Sequence, residues 1–168
     1  MKVINLTYIY LNQMFILSES SPTGIAWRSG RMAGKNAGTL QVLSGIKYFV
    51  IRLNRKSYLA HRIVYALVEE RDLNSFGNID HIDRNGLNND PWNLRPSTQQ
   101  QNCWNTKVKS NSRTGVKGVT LIGTTYVVKI RNKIGKRITL GRFKSLQLAS
   151  EAYSTASKLM HKEFSIFI

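Results

Sequence analysis

The spacing of apolar and polar positions changes period several times along the chain, and each change predicts an element. Met1 to Leu17 is largely apolar, interrupted by Lys2, Asn5, Asn12 and Gln13. No small-residue cleavage site follows it. The stretch is expected to be a short helix packed on the next segment, not a signal peptide or membrane anchor, and to end before Ser18 to Gly24. From Gly45 to Leu53 the pattern alternates and is rich in Tyr, Phe, Val and Ile. Asn54-Arg55-Lys56 then breaks it before Ser57 to Ala60, which predicts a β-hairpin. From Ala60 to Glu69, the apolar residues Ile63, Val64, Ala66 and Leu67 recur at helical spacing. Asn85-Gly86 is a turn dipeptide inside a polar loop, Asp83 to Asp90. Thr98 and Gln101 have capping-box spacing, so a helix should begin there and carry Asn102 and Asn105 about a turn apart.

Beyond that helix, Lys107 to Gly115 is poor in apolar residues and reads as a linker. Gly118–Leu121, Thr125–Arg131 and Arg137–Gly141 are predicted strands. A helix follows from near Leu146 to Met160, with Ala149, Ala152, Tyr153, Ala156, Leu159 and Met160 at i, i+3 and i+4 positions. The class is α+β, ending in β-β-β-α order.

Composition narrows the partners. The 168 residues are 42% hydrophobic and 10% aromatic, enough for packed cores and against wholesale disorder. Lys and Arg number 25 against 9 Asp and Glu, a net charge of +16 that points to a polyanion. Nucleic acid comes first and an anionic membrane surface second. Cys103 is the single cysteine, which excludes an internal disulfide and a Cys₄ zinc site. No disulfide-linked partner is expected, and a free thiol fits a reducing cytoplasm.

The charge is not evenly spread. Residues 1–60 hold eight Lys and Arg against Glu19, residues 61–102 hold four Arg against six acids, and residues 103–168 hold thirteen against two. Two basic arms therefore flank an acidic centre. A protein that only coats DNA has little use for carboxylates beside phosphates, whereas a nuclease must hold a cation there. Glu69, Glu70 and Asp72 read as a solvated helix end. Asp80 and His81 read differently, because a base for water and a hard anionic oxygen for Mg²⁺ or Mn²⁺ stand side by side. Adjacent strand residues face opposite ways, so the two converge only where a strand ends and twists. Asp83, Asn85, Asn88 and Asn89 are expected to shape the loop, Trp92 and Leu94 to enter the core, and His61 and His161 to be structural. Arg95 suits either a phosphate or a neighbouring acid.

Asp80-His81, Asn93-Leu94-Arg95 and Asn102, with His61-Arg62-Ile63-Val64 upstream, resemble the HNH (ββα-metal, His-Me finger) endonucleases, the phage and intron homing enzymes in particular. The resemblance runs from about Leu11 to Asn105. It implies Asp80 and Asn102 as ligands of one Mg²⁺ or Mn²⁺, with no structural zinc. It implies His81 as the base that deprotonates water, and Asn93 as the residue that holds the loop and orients the His81 ring. The third motif position is Asn102, not His; its amide oxygen suits a hard cation. Asn105 stays open as an alternative ligand.

Residues Gly115 to Phe164 resemble the APETALA/ethylene-response-factor DNA-binding domain: Gly118-Val119, Tyr126 to Ile130, Leu140-Gly141-Arg142-Phe143, Ala152-Tyr153 and His161 to Phe164. Tyr126 stands where the plant proteins usually have Trp, and Lys162 where they usually have Gly. The resemblance implies a three-stranded antiparallel sheet on one helix, reading duplex DNA with the sheet. Alternation along the strands independently places Lys129, Arg131 and Arg137 on one face, and no acid occurs between Lys107 and Arg142. Arg95, Lys107, Lys109, Arg113, Lys117, Lys129, Arg131, Arg137 and Arg142 are the expected DNA contacts. The linker suits an extended arm on DNA or a plain tether.

Four regions are expected: 1–60, a basic helix and hairpin; 61–106, the nuclease module; 107–115, the linker; and 116–168, the DNA-binding domain. The chain is expected to be a metal-dependent, homing-type endonuclease that nicks or cuts duplex DNA. The alternatives are a DNA-binding regulator with an inactive module, and a protein directed to RNA. A monomer with one site should nick, whereas a dimer or sequential cleavage could break both strands, and the oligomeric state is left open.

Overall fold

The computed structural model describes residues 6–108 and 111–165. The chain folds as two compact units, Met1–Ser97 and Thr98–Ile168. Expected borders after residues 60 and 106 thus contrast with a division after Ser97, because the first hundred residues share one core.

In the first unit, α1 (Tyr8–Met14) starts at Thr7, whose hydroxyl accepts from the Tyr10 amide at 3.2 Å. The expected helix from Met1 to Leu17 is corrected here: Met1 to Asn5 lies outside the described residues, and Phe15–Leu17 is a strand, β1. Extended geometry wins because β1 pairs with β2 (Ile25–Trp27) and so buries Phe15 completely, its ring 4.9 Å from that of Trp27. Ser21 and Thr23 hydroxyls each donate to the Ile25 carbonyl at 2.8 Å and shape the connection. A second sheet has the order β3 (Thr39–Leu43), β4 (Ile46–Leu53), β5 (Lys56–Leu59). The β4–β5 hairpin turns where the pattern breaks, with Asn54 and Arg55 both at positive φ. β3 carries no sequence signal of a core-facing strand, since all five of its residues are exposed at the sheet edge.

α2 (Ala60–Val68) buries Ala60, Ile63, Val64 and Leu67 against Leu11, Phe15, Ile25 and Ile51. A short antiparallel pair, β6 (Asn78–His81) and β7 (Leu94–Ser97), adds Ile79 and Leu94 to that core. Its register sets Asp80 opposite Arg95 and His81 opposite Leu94. Between the two strands runs the polar loop, which lies so close to β4 that a Cβ on Gly86 would sit 2.5 Å from the Lys47 carbonyl oxygen. Glycine is required there by space alone.

The second unit is an antiparallel sheet of order β10 (Arg137–Phe143), β9 (Thr125–Arg131), β8 (Val119–Ile122), with α4 (Leu146–His161) on one face. Val119, Val128, Ile130, Ala149 and Tyr153 form its core. At Gly118, φ is +71° and the Tyr153 ring and Lys129 carbonyl leave no room for a Cβ. Lys162 takes φ 51° and ψ −125° at the end of α4, a conformation that favours glycine, so the substituted position keeps the turn under strain.

This unit also holds α3 (Gln99–Trp104), which begins with the expected capping box of Thr98 and Gln101. Six residues are too few for an independent helix, and docking supplies the rest. The Trp104 ring stacks on His161 at 4.1 Å and Gln100 Nε2 donates to the Asn132 carbonyl at 2.7 Å. Lys117 Nζ donates to the carbonyls of Cys103, Trp104 and Thr106 at 3.1, 2.7 and 2.8 Å. Among the described residues, no helix is long and apolar enough to cross a membrane.

Candidate active site and basic sheet face

Strand pairing places the chemistry of the first unit at one end of β6. Asp80 is buried, and its Oδ2 accepts from Arg95 Nε at 3.2 Å and Nη2 at 3.0 Å. Of its two expected partners, Arg95 therefore takes the neighbouring acid. The contact follows from register, since the two residues face each other across β6 and β7.

His81, also buried, sits among rings. His61 of α2 meets it edge-on at 4.6 Å and 73°, and Tyr48 of β4 lies 6.1 Å away. Its Nε2 is 3.2 Å from Asn89 Oδ1. Asn89 Nδ2 donates to the Thr23 carbonyl at 2.9 Å, which turns its oxygen toward the imidazole. The Asn89 amide oxygen so presented suits a proton on Nε2. The sequence marks Asn89 only as a loop former; nothing in local pattern links it to a ring eight residues away.

Asn93 departs from its expected role in one half. It holds the loop: its Oδ1 accepts from the Asp83 amide at 3.0 Å, and its Nδ2 donates to Asp83 Oδ1 at 3.0 Å and the Asn88 carbonyl at 2.8 Å. Its amide is engaged there, while the ring contact described above comes from Asn89. Asp83, Asn85 and Asn88 accept amides two residues ahead, as expected of loop formers. Trp92 is a correction: expected in the core, it is 92% exposed, because the turn Pro91–Asn93 points outward while Leu94 enters the core.

Electrostatics keep the imidazoles neutral. Burial pulls the pKa of His61 down to about 3, helped by the charges of His81 and Arg62. Burial also lowers His81, against the opposing hydrogen bond from Asn89 and the charges of Asp83 and Asp80. Burial, then the Asp80 charge, raises Tyr48. Desolvation would raise Asp83, but hydrogen bonds from Asn88, Asn85 and Asn93 bring it below its ordinary value.

The residues fit a hard divalent cation. Such an ion needs only one or two carboxylates and fills the rest of its shell with water and phosphate, and Asp80 offers a buried carboxylate at a strand end. The cation would share that carboxylate with Arg95. Among the described residues, no three or more His, Cys, Asp or Glu gather as a metal-holding group. Asn102 lies half-buried on α3 in the second unit, and Asn105 is the buried C-cap of that helix.

In the second unit, Lys129, Arg131, Arg137 and Arg142 are exposed. Arg131 pairs directly with Arg137 across β9 and β10, Lys129 with Thr139, and Arg142 with Val127. A β-bulge between Thr139 and Gly141 changes the parity of β10 and so brings Arg142 to the same face. Like charges placed opposite each other destabilise a bare sheet, and a bound anion would relieve them. Lys117 is half-buried, and its ammonium closes the carbonyl end of α3. Lys107 and Arg113 are exposed in the linker; Lys109 lies outside the described residues.

A stretch of 53 residues, 32% of the chain, is 45% identical to an uncharacterized HNH endonuclease of Acanthamoeba polyphaga mimivirus. The match spans 28% of that protein, and it relates about a third of the chain to HNH endonucleases. No family model and no solved structure matches the chain.

Proposed function

We propose that the protein is a metal-dependent DNA endonuclease of the homing type, with the C-terminal sheet as its DNA-binding element. The observation that carries this is a buried carboxylate, Asp80, and a buried imidazole of lowered pKa, His81, at adjacent positions at the end of β6. The similarity to a viral HNH endonuclease supports the same reading over part of the chain.

His81 accepts the proton of the attacking water as the water oxygen bonds to phosphorus and the bond from phosphorus to the 3′ oxygen breaks. Asn89 steadies the resulting imidazolium through Nε2, and Asp83 and Asp80 favour its positive charge. Arg95 orients Asp80 and keeps its charge tolerable in a buried site. Asp80 would be the first unit's ligand to one Mg²⁺ or Mn²⁺, and Asn102 is the further ligand that the resemblance assigns. When bound, that ion supplies Lewis-acid stabilisation of the phosphate charge and of the leaving 3′ oxygen. The exposed cations of β9 and β10 and of the linker, Lys109 included in the reading, bind the phosphate backbone.

The test is conversion of supercoiled plasmid to nicked or linear product in Mg²⁺ or Mn²⁺, against His81→Ala and Asp80→Ala. Each substitution is expected to slow cleavage by about a hundredfold or more, the ordinary loss of a general acid–base group. A wild-type protein that yields no product above its two variants overturns the proposal. A gel-shift preference for RNA over duplex DNA would redirect it.

A further inference from the structure

Trp92 is 92% exposed, more than any other large apolar residue described. A solvated indole is uncommon, because this side chain usually buries most of its area. Its mount is stiff. Pro91 fixes the first position of the turn, Asp90 Oδ1 accepts the Trp92 amide at 2.9 Å, and the Asn93 amide donates to the Asp90 carbonyl at 2.9 Å. Asn93 is in turn tied to Asp83 and Asn88. The backbone is thus held in place while the ring itself has nothing of the described chain packed over it.

Its position is as informative as its exposure. The Ile82 amide donates to the Asn93 carbonyl at 2.9 Å, so the residue after His81 is bonded to the residue after Trp92 at the open end of the β6–β7 pair. Ile82 is itself 45% exposed. Two exposed apolar side chains therefore stand at the loop end of the strand pair that carries His81. The loop around them carries Asp83 and Asp90, which repel phosphate, and one cation, Arg84; beside these charges it offers DNA an uncharged aromatic face. Bases expose such faces wherever a duplex is bent or partly unstacked, and an indole stacks on any of them.

We infer that Trp92 is a DNA-contacting residue whose indole stacks on a nucleobase beside the phosphate to be cut. The inference rests on the endonuclease reading and adds the partner that its active-site loop takes. Stacking is not an ion-release process, so its loss changes affinity without changing salt dependence.

The full-length protein is titrated with sheared duplex DNA in EDTA, so that no cleavage occurs, while tryptophan emission and a gel shift are followed. Free Trp92 is open to acrylamide, and DNA quenches the emission. Trp92→Phe removes that quench and keeps most of the affinity, because a ring remains. Trp92→Ala weakens binding by about tenfold, the ordinary effect of deleting one stacking platform, at every salt concentration and with an unchanged slope. Emission that DNA does not touch, an indole already shielded in the free protein, or Trp92→Ala binding like wild type overturns the inference. In those cases a wild type that still binds and nicks DNA leaves the endonuclease reading standing. Failure of wild type to bind or cut any duplex defeats both.

Discussion

The two units hold their charges in opposite ways. At the end of β6 the charged carboxylate is buried and matched, Asp80 against Arg95, and the two imidazoles beside it are kept neutral by burial. On β9 and β10 the charges are exposed and unmatched, with Arg131 set directly against Arg137. Buried, low-dielectric surroundings make each charge strong and each error costly, which suits groups that must act on one bond. Exposed like charges cost little in water and become favourable only when a polyanion displaces their counterions. One region matches its charges within the chain, and the other leaves them to solvent.

Removing one partner from the buried region should have the largest effect. Arg95→Met strands the Asp80 carboxylate without its guanidinium, and should cost about 3 kcal/mol or more in urea unfolding. Asp80→Asn added to that variant should restore much of the loss. A small cost for the single change would mean that the site is wetter than its burial indicates.

Acid tests the same region through its imidazoles. The His61 pKa is lowered in the folded state, to about 3, so between that value and its ordinary 6.5 the unfolded chain binds the extra proton. Stability is therefore full above about pH 6.5 and falls on acidification, by at most about 1.4 kcal/mol per pH unit for each such group. His81 and His161 are shifted the same way and add to the slope. His61→Gln should flatten the fall in urea midpoint between neutral and mildly acid pH; an unchanged slope would show that His61 is protonated in the fold.

The exposed region should respond with a trade. Arg137→Gln relieves the cross-strand repulsion, so the melting temperature rises slightly while duplex affinity falls. The slope of log affinity against log salt should shrink by about one, as expected for one lost phosphate contact. Lost stability together with an unchanged slope would place Arg137 among structural residues. The smallest effect is local. Lys162→Gly removes a side chain from a φ of 51° and should add about 1 kcal/mol to stability, provided the turn keeps its geometry.

Period and turn chemistry made many elements legible. The Asn54-Arg55 turn, α2, the capping box of α3, and the strands and helix of the second unit all form where local pattern places them. These are the cases in which propensity and burial agree. Where they disagree, burial decides. Phe15–Leu17 leaves helix for strand because pairing with Ile25–Trp27 buries Phe15. β3 hides because an edge strand with every residue exposed has no inward face to reveal it. Trp92 reads as core from composition, yet the turn that carries it points outward.

The candidate site divides along the same line. Sequence alone determined the residue types that chemistry needs, Asp80 beside His81, and the basic composition of the C-terminal strands, because these are written in adjacent or alternating positions. Only the tertiary structure decided that Arg95 answers Asp80, that Asn89 and His61 frame the His81 ring, and that Lys117 caps α3 instead of facing outward. Those contacts depend on strand register, on loop conformation and on helix docking. Each joins residues separated along the chain, and no local period encodes which distant partner a side chain will meet.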